Sequence, residues 1–267
     1  MKATLITGAS GGIGEAIAYG LAQRKHNLLL IARNSEKLEK LCIQLHRQFG
    51  VEARYIATDL SKAGNAEGIF EEVQKRGLEI EMLINNAGIG SGGEFSELSL
   101  PSELNMIQLN IISLVALTHL FLTQMKQRKS GTIVNIASMV SFAPFPYMAT
   151  YGASKAFVRS FTEAITQECK PHQVHVLLFC PGLTKTNFNS AAGIDNEKAV
   201  GLSSDYKNAP AQTPQQVAKE VLKALDRRKH FAISGKLNRI AAKLIAILPN
   251  SLITGSFAKM YRRKLGQ

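Results

Sequence analysis

The chain has 267 residues, 45% hydrophobic and 19% charged, a globular composition long enough to bury the core of one domain. Its formal net charge of +12 raises the question of nucleic acid. Seven basic residues and no acid lie between Lys236 and Lys264, so seven of the twelve charges sit in one tail, and with no nucleic-acid motif elsewhere we expect no nucleic-acid partner.

Apolar runs of β type alternate with segments of helical period. Strands are expected over 3–7, 27–32, 53–58, 82–87, 132–138 and 174–179, with a short seventh over 230–234. Helices are expected over 12–24, 35–48, 64–76, 101–127, 151–170 and 214–228. The strand runs lack polar alternation, so helices should cover both faces of the sheet. The pattern is a doubly wound, mostly parallel α/β domain of Rossmann-like type over residues 1–235. A basic amphipathic extension follows over 236–267. In it Leu237, Ile240, Ala241, Leu244, Ile245 and Leu248 recur at helical spacing, with Lys236, Arg239 and Lys243 off that face, until Pro249 breaks the helix. That stripe is expected to pack on the chain's own core or on a sister subunit, with peripheral contact to anionic lipid as the alternative. No repeat, low-complexity tract or apolar run of transmembrane length is read.

The opening residues lack the order of a secretory signal, which reads as a cytoplasmic protein, at a membrane surface only if the tail binds lipid. Cys42, Cys169 and Cys180 have no metal-ligand spacing and sit in apolar segments, so they read as reduced core thiols, and no metal site is expected.

The first strand runs into TGASGGIGEAIA, where Gly8, Gly12 and Gly14 are spaced G-x-x-x-G-x-G. Glycines there let the chain turn sharply and bring backbone N–H groups to a pyrophosphate at the positive end of the next helix. An ordinary tight turn has the same composition, but its position after the first strand favours a dinucleotide. The second strand ends IARNSEK, with Arg33 where a carboxylate would bind the ribose 2′-hydroxyl of NAD. This points to NADP(H) in preference to NAD(H), against the plainer reading of Arg33 as a solvated surface cation.

Tyr151 and Lys155 lie four apart at the head of a helix and share one face. A phenol of ordinary pKa ~10 exchanges protons poorly at neutral pH, and a neighbouring ammonium stabilises its phenolate. Such a pair is usually packing with a snorkelling lysine. Here Ser138 ends the fifth strand, where open α/β sheets place their ligands, and its hydroxyl can hydrogen-bond a substrate oxygen.

With TGASGGIG, NNAG at 85–88, Asn110 in LNIISL, Ser138, the Tyr151–Lys155 pair and PGLTKT at 181–186, the chain resembles the short-chain dehydrogenase/reductase family. The resemblance implies roles. Tyr151 would be the general acid in carbonyl reduction and Ser138 would orient the carbonyl. Lys155 would support the tyrosine and bind ribose, and Asn110 would hold a water leading to Lys155. Gly8, Ser10, Gly12, Ile13 and Gly14 would form the phosphate turn. Asp59 and Leu60 would lie at the adenine, although Asp59 reads equally well as a loop cap. Asn86, Ala87 and Gly88 would back the adenine ribose, and Pro181, Gly182, Thr184 and Thr186 would lie beneath nicotinamide and pyrophosphate. A homodimer or homotetramer is implied as well.

The reading is an NADPH-dependent reductase of a ketone or ketoacyl group. Alcohol oxidation with NAD(P)+ and a non-catalytic dinucleotide sensor are its alternatives. Met139, Phe142, Phe145, Tyr147 and Met148, between the serine and the tyrosine, suit an apolar small-molecule substrate or pack beneath the loop. The stretch from Asn187 to Gln212, with Gly193, Gly201 and Pro210, reads as a lid.

Overall fold

A computed structural model describes residues 1–186 and 211–265. The expected lid falls almost wholly on residues 187–210, outside the described residues. Seven strands form one parallel sheet: β1 Lys2–Thr7, β2 Leu28–Ala32, β3 Ala53–Ala57, β4 Glu79–Asn85, β5 Gly131–Ile136, β6 Val174–Cys180 and β7 Phe231–Ile233. Their spatial order is β3-β2-β1-β4-β5-β6-β7. The direction of winding reverses between β1 and β4, which opens a crevice at the carboxyl ends of those two strands.

Alternate residues along each strand feed two cores. Ile6, Leu28, Leu30, Ile84, Val134 and Phe179 pack under helices α1 (Gly12–Gln23) and α2 (Ser35–Phe49). Leu5, Leu29, Ile31, Leu83, Ile133 and Val176 pack on the other face, under α3 (Asn65–Lys75), α5 (Ser113–Gln127) and α6 (Ala149–Cys169). This is the period-two geometry of a strand buried on both faces. A further helix, α7 (Pro214–Asp226), packs with α1, and Arg24 holds Asp226 by two bonds of 2.6 and 2.9 Å between them. Its start follows local rules, with Thr213 capping Gln216 N–H, Gln216 returning a bond to Thr213 N–H, and proline at the first helical position.

Several expected boundaries shift. β4 begins at Glu79, paired with Lys2, and ends at Asn85, so Asn86, Ala87 and Gly88 lie in the loop beyond it. β5 ends at Ile136, which leaves Ser138 outside the strand at the start of a short 3-10 turn, Met139–Phe142. The helix expected over 101–127 is α4 (Leu100–Ile107), a π turn (Gln108–Ile112) and α5 in continuous succession. That run, Leu100–Gln127, is long and apolar enough by composition to cross a membrane, contrary to the sequence reading. Leu117, Phe121, Leu122 and Met125 of that run pack on the sheet, whereas Leu100, Leu104 and Ile112 are exposed.

The extension forms two helices, α8 (Lys236–Ile247) and α9 (Asn250–Leu265), separated at Leu248 and Pro249. The expected stripe does not pack as one face. Ala242 is buried, with Ala241 and Ile245 partly so, whereas Leu237, Ile240, Leu244 and Leu248 stay exposed. The side chain at 242 points nearly half a turn, and that at 245 about a third of a turn, away from the 237–240–244 row, so only the 241–245 edge of the apolar surface meets the core. All three cysteines are free and buried, and burial pushes Cys42 up to about 11 and Cys180 up to about 12.

Candidate active site

Of the residues expected to act in catalysis or hold the cofactor, all but Asn110, Tyr151 and Lys155 lie just beyond the carboxyl end of a strand or in the first turn of α1. At the end of β1, Gly8 takes φ +66 and Gly12 φ +59, a left-handed backbone open to glycine at little strain. A Cβ on Gly14 would collide with the Gly8 carbonyl and lie 2.6 Å from Asn86 Nδ2. The α1 N-terminus is thus pressed against the β1 and β4 ends. No side chain caps α1 at Gly11, which leaves the N–H groups of its first turn, from Gly12 and Ile13 on, open to an anion. Thr186 stands over it, its Cγ2 3.2 Å from where a Gly12 Cβ would be. These features fit a dinucleotide pyrophosphate.

Thr7, which the sequence reading passed over, locks the crevice floor. Its Oγ1 accepts from Asn86 N–H and Ala87 N–H, each at 2.9 Å, while Asn86 Nδ2 donates back to the Thr7 carbonyl at 2.9 Å. Asn86 therefore braces β4 to β1. Arg33 is exposed beyond β2, where Asn34 is engaged in capping α2 through Lys37 N–H at 2.8 Å. Burial pushes Asp59 up, but its bonds from Ser61 and the nearby charges of Arg33 and Lys62 outweigh that and hold its carboxyl below the ordinary value. Asp59 Oδ1 accepts from Ser61 Oγ at 2.7 Å and Ser61 N–H at 3.1 Å, so the loop-cap reading is met. Leu60 beside it is buried.

Tyr151 lies in the first turn of α6 and Lys155 one turn later, both buried. Lys155 Nζ donates to the Ile136 carbonyl at 3.1 Å, which fixes α6 against the β5 end two residues before Ser138. Burial pushes the Lys155 ammonium down to about 8. Ser138 Oγ accepts from Val140 N–H at 3.4 Å, and its carbonyl accepts from Ser141 Oγ at 2.6 Å.

Asn110 sits in the π turn, a local widening of the helix found often at functional sites. Its Oδ1 accepts from Ile89 N–H at 3.0 Å, and its Nδ2 donates to the Ile89 carbonyl at 2.9 Å and to Ser154 Oγ at 3.0 Å. Ser154 Oγ donates in turn to the Tyr151 carbonyl at 2.8 Å. Ser154 is thus a link the sequence reading missed, although it lies within the quoted Tyr-to-Lys interval. Gly88 is where these parts converge: a Cβ there would lie 3.1 Å from Asn110 Oδ1 and 3.3 Å from Lys155 Nζ.

On the far side, the Pro181 carbonyl accepts from Met139 N–H at 2.9 Å and the Gly182 carbonyl from Thr184 Oγ1 at 3.0 Å. Gln212, also missed, pairs with this loop: its carbonyl accepts from Lys185 N–H at 2.9 Å and its N–H donates to the Leu183 carbonyl at 3.0 Å. Gly182 is pressed against Asn238 of α8, so the extension helps shape the loop.

The five apolar candidates divide. Met148 and Phe145 pack with Tyr151, Met106 and Ile89. Met139 and Phe142 turn to a separate core cluster, and Arg159 covers the Phe142 ring at 4.3 Å. Tyr147 and Phe145 meet α9, with ring centroids 5.6 Å from Tyr261 and 4.2 Å from Phe257 respectively.

Comparison with known proteins agrees with this fold. The model of the short chain dehydrogenase family matches residues 2–197. The chain belongs to that family. As a short-chain dehydrogenase it is an NAD(P)-dependent oxidoreductase of the hydroxyl and keto class. It is 30% identical over 239 residues to the NADP-dependent 3-hydroxy acid dehydrogenase of Schizosaccharomyces pombe, covering 88% of this chain and 91% of that one. It is 37% identical over 186 residues to the 17-beta-hydroxysteroid dehydrogenase type 3 of Homo sapiens, covering 68% of this chain but only 59% of the human protein's length. Among solved structures, the short-chain dehydrogenase from Sphingobium yanoikuyae in complex with NADPH superposes with a TM-score of 0.80 at 29% identity, over 94% of this chain and 98% of that one.

Proposed function

We propose that this short-chain dehydrogenase reduces a hydrophobic ketone or ketoacyl group to the alcohol with NADPH, and that Tyr151 delivers the proton. The observation that carries the reading is the junction at Gly88, where Asn110, Lys155 and the end of β4 meet beside the helix that bears Tyr151.

The nicotinamide, when bound, supplies the hydride to the carbonyl carbon. Gly8, Ser10, Gly12, Ile13 and Gly14 hold its pyrophosphate by backbone N–H groups, and Asn86, Ala87 and Gly88 allow the ribose to approach. Pro181, Gly182, Thr184 and Thr186 close the nicotinamide side. Ser138 Oγ donates to the substrate oxygen and Tyr151 gives its proton to the developing alkoxide. Lys155 is charged below about pH 8, stabilises the phenolate left behind and reaches the ribose hydroxyls. Asn110 holds the Ile89 backbone and Ser154, which positions the helix of Tyr151 and a water path to Lys155. Met148 and Phe145 offer an apolar wall to the substrate.

Arg33 carries the preference for NADPH, supported by its exposure beside Asp59 and by the cofactors in the names of the yeast and Sphingobium proteins. The hydroxy acid and hydroxysteroid in the names of these relatives support an alcohol or ketone as the substrate class. Buried free thiols suit a reducing, cytoplasmic setting. We further propose a homo-oligomer built on the α5–α6 face, where Ile112 and Phe157 are exposed beside Val115 and Leu120.

The test is fluorescence titration with NADPH and NADH, then loss of NADPH absorbance with ketones of increasing chain length. Tyr151→Phe is expected to lower kcat by about 10²–10⁴-fold with NADPH affinity retained. Tight NADPH binding with no turnover of any ketone or alcohol would favour a dinucleotide sensor, and a clear NADH preference would remove Arg33 from its role.

A further inference from the structure

The extension carries an apolar surface that the fold leaves open. Leu237, Ile240, Leu244, Ile247 and Leu252 are between 52% and 78% exposed, far above what isolated surface leucines need. On α8 the first four fall on one stripe at spacings of three and four. Ile247 and Leu252 continue it around the corner at Pro249, so the apolar surface includes the tip of the helix pair. Lys236, Arg239 and Lys243 border that stripe on the side away from the half-buried Ala241 and Ile245. With Lys259, Arg262, Arg263 and Lys264 they make seven cations and no acid between positions 236 and 264.

The two helices are anchored rather than loose. Ala242, Ile253 and Tyr261 are buried, Phe257 packs on Phe145 with tilted rings, and Asn238 donates to the Ser234 carbonyl at 2.7 Å. A rigid element with cations along one border of an exposed apolar stripe has the chemistry of a helix lying in a bilayer interface, with lysine and arginine stems reaching the headgroups. A second copy of the chain is a poor occupant, because apposing two such stripes would bring Lys236, Arg239 and Lys243 of one copy against those of the other.

We propose that α8 and α9 dock the protein on an anionic lipid surface, with Leu237, Ile240, Leu244, Ile247 and Leu252 inserted and the cations at the headgroups. Because α9 packs on the segment from Phe145 to Tyr147, docking holds the apolar side of the active site close to the bilayer. That last consequence rests on the proposed reductase reading; the docking itself does not.

The test is co-sedimentation of the full chain with phosphatidylcholine vesicles, with and without phosphatidylserine, at low and high salt. Strong binding is expected only with phosphatidylserine, weakening as salt rises. Lys236→Gln with Lys243→Gln should lower partitioning about 30-fold, at roughly 1 kcal/mol for each cation near the surface. Ile240→Ser with Leu244→Ser should abolish binding. Both variants change exposed side chains, so turnover of a short water-soluble ketone without lipid should match wild type. Loss of turnover in wild type with binding intact would sink the reductase reading and leave docking standing. Equal binding to neutral and anionic vesicles, or binding unaffected by either variant, would overturn docking. Dissociation of an oligomer by Ile240→Ser with Leu244→Ser, without vesicle binding by wild type, would show a subunit interface instead.

Discussion

Replacing Lys155 by methionine separates what the lysine does for the chemistry from what it does to the fold. The residue is 5% exposed, and burial takes its pKa from an ordinary 10.5 down to about 8. The charged form is therefore disfavoured in the folded chain. Below about pH 8 both folded and unfolded chains hold the proton and the whole penalty is present, about 3 kcal/mol for a shift of this size. Between about 8 and 10.5 the unfolded chain holds more protons than the folded one, so stability rises with pH through that window and the penalty is gone above it. Methionine keeps the length of the side chain and removes the charge. It also removes the donor to the buried Ile136 carbonyl, a loss of roughly 1–2 kcal/mol. The balance near pH 7 is a gain of about 1–2 kcal/mol, or roughly 2–8 °C in Tm. Near pH 10 the wild type has recovered about 2–3 kcal/mol and becomes the more stable of the two. Calorimetric unfolding of both proteins at the two pH values measures this crossing. A variant less stable than wild type by the same margin at both pH values would refute the buried-ammonium reasoning, because a lost hydrogen bond alone carries no such pH dependence.

Gly14→Ala drives a methyl group into the Gly8 carbonyl and Asn86 Nδ2. It is expected to cost about 1–3 kcal/mol and to weaken NADPH binding, read by denaturant midpoint and fluorescence titration. Gly68, in the interior of α3, has open space around its missing Cβ, so Gly68→Ala should stabilise by about 0.5–1 kcal/mol with kcat unchanged. Asn110→Ala strips the Ile89 N–H and carbonyl and Ser154 of their partner. A loss of about 2–4 kcal/mol is expected, with kcat falling more than NADPH affinity. Phe157→Asp on the exposed α5–α6 face should split the proposed homo-oligomer in sedimentation velocity while leaving each subunit folded.

Much of the architecture was legible because each strand is buried on both faces and each helix on one, which leaves a run or a period that composition alone reveals. Strand ends were harder. β4 stops at Asn85 because Asn86 turns its amide onto Thr7, a choice of partner made across the sheet and invisible along the chain. Thr7, Ser154 and Gln212 escaped notice for the same reason, since a hydroxyl or amide gains its role only from what the fold brings opposite it. The π turn left no trace either. Met106, Asn110, Leu114, Leu117 and Phe121 are buried at spacings of three and four, which is also what an unbroken α-helix shows.

The extension marks where reading by period stops. A row of leucines and isoleucines at helical spacing states that one face is apolar, and it says nothing about which medium covers that face. In α5 the same pattern meets the sheet, and Leu117, Phe121 and Met125 are buried. In α8 the pattern splits, with Ala242 turned inward while Leu237, Ile240 and Leu244 remain in solvent. The two helices differ in what flanks them. α5 has one basic residue in its last turn, whereas the α8–α9 region is wholly cationic. An apolar face bordered by charge of one sign gains nothing from a second copy of itself and gains both apolar burial and charge pairing from an anionic bilayer, so charge pattern decides where period cannot.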